Sequence, residues 1–153
     1  MANFEALGIM TDEGRARLAE MIATGKSFKV DRYVVGDQGH DSTDPTLAIT
    51  PDPSRTGCYC SSESITVSGG CVFEDLIDGV SYASSTCPIF EVVLEKGEAT
   101  GVVSSICLLG TITYSPNPLD PEIGTQFLFA IVNFPLKTKI PEEKYTYNIS
   151  VQY

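Results

Sequence analysis

One histidine, five cysteines and a run of loop aspartates are the residues here whose types suit chemistry. His40 lies in 36-GDQGHDSTDP-45. To act as a base it needs a nucleophile and an orienting acid brought to it by the fold, because triads are spatial rather than sequential. No serine stands in the Gly-x-Ser-x-Gly elbow that presents a nucleophile at a strand end. A Cys–His pair would rest on the same footing. The plainer reading is a histidine on an exposed loop.

Metal ligation gets little help from the spacing. Cys58 and Cys60 form a Cys-x-Cys pair, followed by Cys71, Cys87 and Cys107. Structural zinc sites pair their ligands as Cys-x₂₋₄-Cys with a second such pair, and that pattern is absent. On a strand Cys58 and Cys60 would share a face, but small packing residues are the expected role for all five. An odd count also argues against a complete disulfide framework, so reduced thiols in a cytosolic assembly are expected. Asp37, Asp41 and Asp44 crowd one loop as cation ligands do. The glycine and glutamate of a calcium loop do not follow them, so a solvated acidic loop is expected.

Other motifs carry no weight. Glu122, Glu142 and Glu143 do not stand out as acid–base residues in a chain with 20 acids and 10 bases. Neither common phosphate-cradling glycine motif occurs. Asn148-Ile149-Ser150 fits a glycosylation sequon but falls in a predicted strand. No catalytic residue, metal or cofactor is assigned, and the chain is not read as an enzyme.

The elements that would position these residues are mostly strands. At 153 residues and 42% hydrophobic, the chain suits one domain with a sizeable core. Its net charge of −10 repels phosphate backbones and anionic lipid, so neither nucleic acid nor a membrane surface is an expected partner. The opening Met-Ala-Asn-Phe-Glu lacks the basic and apolar regions of a signal peptide. The run 127-FLFAIV-132 is too short to span a bilayer.

Thr11 is a good N-cap, Asp12 and Glu13 suit the first turn, and Leu18, Met21 and Ile22 share one face, with Gly25 as the stop. A helix over 11–24 follows. Strands are expected at 28–35, 90–95, 100–109 with 112–114, 127–134 and 145–153. Gly69-Gly70 signals a hairpin within 64–74, and 96-KGEA-99 signals a second one between 90–95 and 100–109. Residues 36–57, with three prolines, form a long loop of the kind that is functional or loosely ordered. Pro135 should end its strand. In 145-YTYNISVQY-153 the alternation is strict, which gives one apolar face.

Two stretches carry a resemblance. The order Phe4, Ile9-Met10-Thr11, Gly14, a helix, a glycine stop and a strand ending in Val35-Gly36-Asp37 resembles the N-terminal domain of phage tail-collar fibre proteins. A second match is Ile106-Cys107-Leu108-Leu109 followed by 130-AIVNFP-135, Lys137 and the alternating strand. Ser105 and Cys107 replace a glutamate and a glycine of that family's pattern. The match spans about 70 residues at both ends and leaves about 40–100 unaligned.

The resemblance implies a domain that anchors a fibre to the baseplate, usually as a homotrimer, with other baseplate or tail-fibre proteins as partners. It also implies a virion location after assembly in the bacterial cytoplasm. With no stem following, the chain is expected to be the mount without the arm. The expected fold is α+β, mainly antiparallel sheet with one N-terminal helix. Docking is assigned to Asp37, His40 and Asp41 on the loop and to Tyr145, Tyr147 and Tyr153 on the last strand. For these tyrosines the alternative is the domain's own core. Two rival functions are a small receptor- or carbohydrate-binding module and a cell-envelope hydrolase using His40 or a cysteine.

Overall fold

The computed structural model of the chain describes residues 2–60, 72–82 and 87–151. The protein is mostly β. Strand β1 (Ala2–Met10) leads into α1 (Asp12–Thr24), the one helix among the described residues, and strand β2 (Ser27–Gly36). Then follow β3 (Phe73–Leu76), β4 (Gly79–Ser81), β5 (Ile89–Leu94), β6 (Gly101–Tyr114), β7 (Gln126–Lys139) and β8 (Tyr145–Val151). The eight strands among the described residues join one sheet in the order β3-β2-β6-β7-β1-β8-β5-β4. The sheet is mixed rather than purely antiparallel, because β1 runs parallel to β8 from Ala2–Tyr145 to Gly8–Val151.

The outermost strands, β3 and β4, are separated in the chain only by Ile77 and Asp78. Three Cα steps span at most about 11 Å. The two edges are therefore held near one another and the sheet must curl. Strand β1 is the crease, pairing with β8 along its first seven residues and with β7 only at Ile9 and Met10. Side chains of both halves fill the concave side: Phe90, Val92, Tyr147 and Ile149 meet Val35, Ile106 and Phe129 in one cluster. The rings of Phe90 and Phe129 lie 6.4 Å apart, and the Tyr33 hydroxyl donates to the Val93 carbonyl at 3.4 Å. On the convex side of β2–β6–β7, Val34, Cys107, Leu109, Leu128 and Ile131 form a second cluster.

The helix forms where its capping residues predict. Thr11 Oγ1 accepts from the Gly14 amide at 2.9 Å, and Gly25 closes the other end in the left-handed conformation with its amide on the Met21 carbonyl. Thr11 also reaches outward: its hydroxyl donates to the Leu128 carbonyl and its amide donates to the Phe129 carbonyl. That carbonyl is available because Phe129 is bulged, Leu108 facing Ala130 while Leu109 faces Leu128. A methyl group on Gly14 would lie 2.6 Å from the same oxygen.

Salt bridges hold the rest of the helix. Arg17 contacts Glu122 at 3.0 Å, and Lys26, just past the helix, contacts Asp120 at 2.9 Å and also Glu122. Both acids lie on the 115–125 connection, which is irregular as its prolines predict. The Asp120 carboxyl is held down at about 2 by the hydrogen bond from the Glu122 amide and then by Lys26.

Several expectations need correction. Strand β1 was not foreseen. Its inward residues are Ala2, Phe4, Ala6 and Gly8, of which only Phe4 favours a strand, and Leu7 interrupts its polar face. Residues 96–99 turn the chain but make no hairpin: β5 pairs with β4 and β8, and β6 with β2 and β7. This connection crosses from one half of the sheet to the other, with Ala99 buried at φ 51°. Pro135 does not end β7, which runs on to Lys139. It sits where the register with β6 shifts between Val103 and Ser105, so no ladder amide is lost. The Gly69-Gly70 hairpin turn lies outside the described residues; β3, at the end of that stretch, pairs with β2.

Two outcomes follow. Gly14→Ala should destabilise the protein by roughly 1–3 kcal/mol in urea unfolding. The overlap with the Phe129 carbonyl outweighs a helix-propensity gain of at most about 1 kcal/mol; an unchanged or raised midpoint would refute the steric argument. Asp120 has a folded pKa below its unfolded one, so its contribution is present above about pH 4 and fades as pH falls toward 2. Lys26→Met should lower the melting temperature at neutral pH, and a thermal melt series from about pH 5 to 2 should show a shallower acid decline than in the parent.

Candidate functional site

The residues assigned to docking do not form one face. Tyr145 and Tyr147 are buried at 4% and 2% exposure, in the concave core. Phe4 stacks on Tyr147 at 4.8 Å and meets Tyr145 edge-on at 5.3 Å, while Phe134 lies 5.0 Å from Tyr147. The Tyr147 hydroxyl is pushed well above its usual range by burial. These two rings belong to the domain's own packing, the alternative weighed above, and offer little surface to a partner. Tyr153 lies outside the described residues. Asp37, His40 and Asp41 do lie together, at the start of the loop.

That loop is anchored at many points rather than loose. His40 bridges Ala48, the Ile49 amide donates to the Gly39 carbonyl at 2.8 Å, and the Asp41 amide donates to the Leu47 carbonyl at 2.9 Å. Bonds then fix it to the body. The Leu136 amide donates to the Pro45 carbonyl, Asn133 Nδ2 donates to the Ile49 carbonyl at 2.9 Å, and the Asp12 amide donates to the Pro53 carbonyl.

The aspartates have a local task. Asp41 accepts from the amide and hydroxyl of Thr43, Asp44 from those of Thr46, and Asp52 from those of Ser54. Asp-x-Thr or Asp-x-Ser thus recurs three times as a self-closing turn. The bonds from Thr43 hold the Asp41 carboxyl below its usual range, and those from Ser54 do the same for Asp52. These oxygens are engaged by their own loop. Among the described residues no group of three or more metal-ligating side chains converges.

His40 meets a serine that the sequence did not single out. Its Nδ1 lies 3.0 Å from Ser104 Oγ, which also accepts from the Gly39 amide at 2.9 Å. Ser104 has no exposed surface, so no substrate reaches its hydroxyl in this structure. The pair ties the loop to β6. Gly39 is required there: a methyl group at that position would overlap the Ser104 carbonyl and Asn133.

The loop's far end is also buried. Tyr59 accepts at its carbonyl from the Gln38 amide and at its hydroxyl from the Asp52 amide, and the Arg55 guanidinium stacks 3.9 Å above its ring. Its carbonyl presses on Gly36, which has no Cβ to obstruct it. Cys58 and Tyr59 cover the convex cluster. Here the thiol expectation is corrected: Cys60 is disulfide-bonded, whereas Cys58 and Cys107 are free thiols.

A different surface is open. Strand β3 pairs only with Arg32–Val35, so among the described residues the edge of β2 at Phe28–Val30 has no strand beside it. Between this edge, α1 and β4–β5 runs a cleft of about 320 Å³ lined by Leu18, Met21, Phe28, Val80, Phe90 and Phe129. A neighbouring hollow of about 460 Å³ continues it past Asp31, Leu76 and Ile77. It is the seam where the curled sheet fails to close. Sequence reasoning missed it because the seam exists only once β3 and β4 are placed on opposite edges.

No family model, curated protein or solved structure matches this chain. No helix among the described residues is long and apolar enough to cross a membrane.

Ser104→Ala should remove the anchor of Gly39 and His40 and cost about 1–2 kcal/mol. The clearest readout is limited proteolysis, where cleavage within 42–56 should accelerate while the sheet stays intact. Equal cleavage rates in parent and variant would show that the loop is held elsewhere.

Proposed function

We propose that this chain is a structural virion protein of a tailed phage, a baseplate component or adaptor that anchors tail fibres. It would act by self-association, as a homotrimer, and by docking a fibre or a neighbouring baseplate protein. One observation carries the reading: the residues behind the tail-collar resemblance serve as framework and meet one another. Thr11 and Gly14 sit on the Leu128–Phe129 bulge. Gly36 faces Ser105, which faces Asn133, so the Val-Gly-Asp and Asn-Phe-Pro segments share one row across β2, β6 and β7. Motif positions spent on packing rather than on reagents suit an anchoring part.

The open seam is the docking surface that fits best. Anchoring needs apolar area and free backbone at a strand edge, and an added strand supplies the missing hydrogen bonds. Val80 stands at its rim, half exposed. The hydrolase alternative loses support from the burial of Ser104. The binding-module alternative keeps the same seam with a smaller occupant.

Immuno-electron microscopy of the encoding virus should place label at the distal tail, and light scattering of the purified chain should give three times its monomer mass. Val80→Asp should leave the fold intact by circular dichroism yet reduce incorporation into particles at least tenfold. Particles without label, with the protein confined to the lysate, would overturn the proposal.

A further inference from the structure

Three of the five cysteines converge on the convex side of the sheet. Cys107 lies on β6 between its register partners Val34 and Ile131. Cys58 comes to the same cluster from the loop, and Cys60 packs against it. Cys58 and Cys107 are both buried, at 3% and 0% exposure. Their side chains are hydrogen-bonded to each other. The segment that brings Cys58 there is fixed on both sides, by Tyr59 on Gln38 and Gly36 and by Arg55 Nη2 on the Cys58 carbonyl at 2.9 Å. Cys60 is already cross-linked, and not to either of these two thiols.

We infer that Cys58 and Cys107 are an oxidation site, and that they close a second disulfide joining the 37–60 loop to β6 when the protein meets a low-molecular-weight disulfide. The chemistry balances as two exchanges. Both thiols are covered in the closed structure, so the first exchange requires the loop to lift: the Cys58 thiolate, carried by the loop, then attacks a sulfur of the small disulfide, forming a mixed disulfide and releasing one small thiolate. The other protein thiolate then attacks the protein sulfur of that mixed disulfide and expels the second small thiol. Two protein thiols lose two protons and two electrons, and one small disulfide becomes two thiols. The cross-link would enclose the chain from Cys58 to Cys107 and weld the loop over the convex cluster.

The hydrogen bond to Cys107, reinforced by burial, pushes the Cys58 thiol upward. Little thiolate is then present at neutral pH, so closure is slow there and faster in mild alkali. That places the bridge late, after folding, in whatever oxidising medium the finished protein enters.

The test is incubation of the folded protein with oxidised glutathione at about pH 8, then intact mass and non-reducing peptide mapping. The expected product has lost two hydrogen masses and yields a peptide joining Cys58 to Cys107. Its melting temperature should rise by roughly 5–15 °C, and cleavage within 42–56 should slow. Cys107→Ser, checked for folding by circular dichroism, should show none of these changes. The inference is overturned if both thiols persist after treatment, if bridging occurs only once the chain is unfolded, or if the new bridge joins other cysteines.

Discussion

The carbonyl of Phe129 is the contact on which the architecture turns. A single extra residue in β7 breaks the register with β6 and frees that oxygen from the ladder. Thr11 then binds it through its amide while its hydroxyl caps the helix and holds Leu128. The junction ends β1, starts α1 and fixes the helix to the sheet. Gly14 permits the approach because it has no side chain to intervene. Without the bulge, the helix would have no fixed starting point and β1 no reason to stop at Met10.

From this junction the two halves of the sheet diverge and meet again over a common core. Strand β1 belongs to both halves, and its parallel partner β8 supplies the wall of buried Tyr145, Tyr147, Ile149 and Val151. The short link between β3 and β4 ties the outer edges without pairing them. The sheet is therefore drawn into a curl but left with a seam. The loop over the opposite face does separate work, covering Cys107 and Leu128 with Cys58 and Tyr59. Concave core, seam and covered outer face are three environments made by one sheet.

How much of this could be read from residues alone depends on how local the cause is. The helix was readable because its cap and stop lie within fifteen residues, but its apolar stripe was drawn too wide: Leu18 and Met21 line the cleft, whereas Ile22 is 85% exposed. The final strand was readable because burial alternates strictly along it. The run Phe127–Val132 was readable because it is buried on both faces, as its unbroken apolar composition implies. The error at 96–99 has a different source. The turn residues were recognised, but whether the flanking strands pair depends on β8 and β2 claiming them first. Pro135 misled because its tolerance rests on a register shift set by another strand. For the site, the loop aspartates were noticed but their partners two residues on were not. His40 was picked out, yet Ser104, 64 residues away in sequence, was beyond any local signal.

The parallel pairing of β1 with β8 also constrains how the fold can be reached in time. These strands are separated by more than 130 residues, and each forms part of the other's edge. A ribosome delivers β1 first, and it must wait for β8 before that half of the sheet exists. Until then the β3–β2–β6–β7 portion can assemble, while β5 has β4 as a partner but lacks β8 on its other edge. Contacts of such long sequence separation slow folding and prolong the lifetime of species with open strand edges. The molecule is thus one that completes this half of its sheet abruptly once β8 is available, in a cooperative closure rather than by gradual accretion.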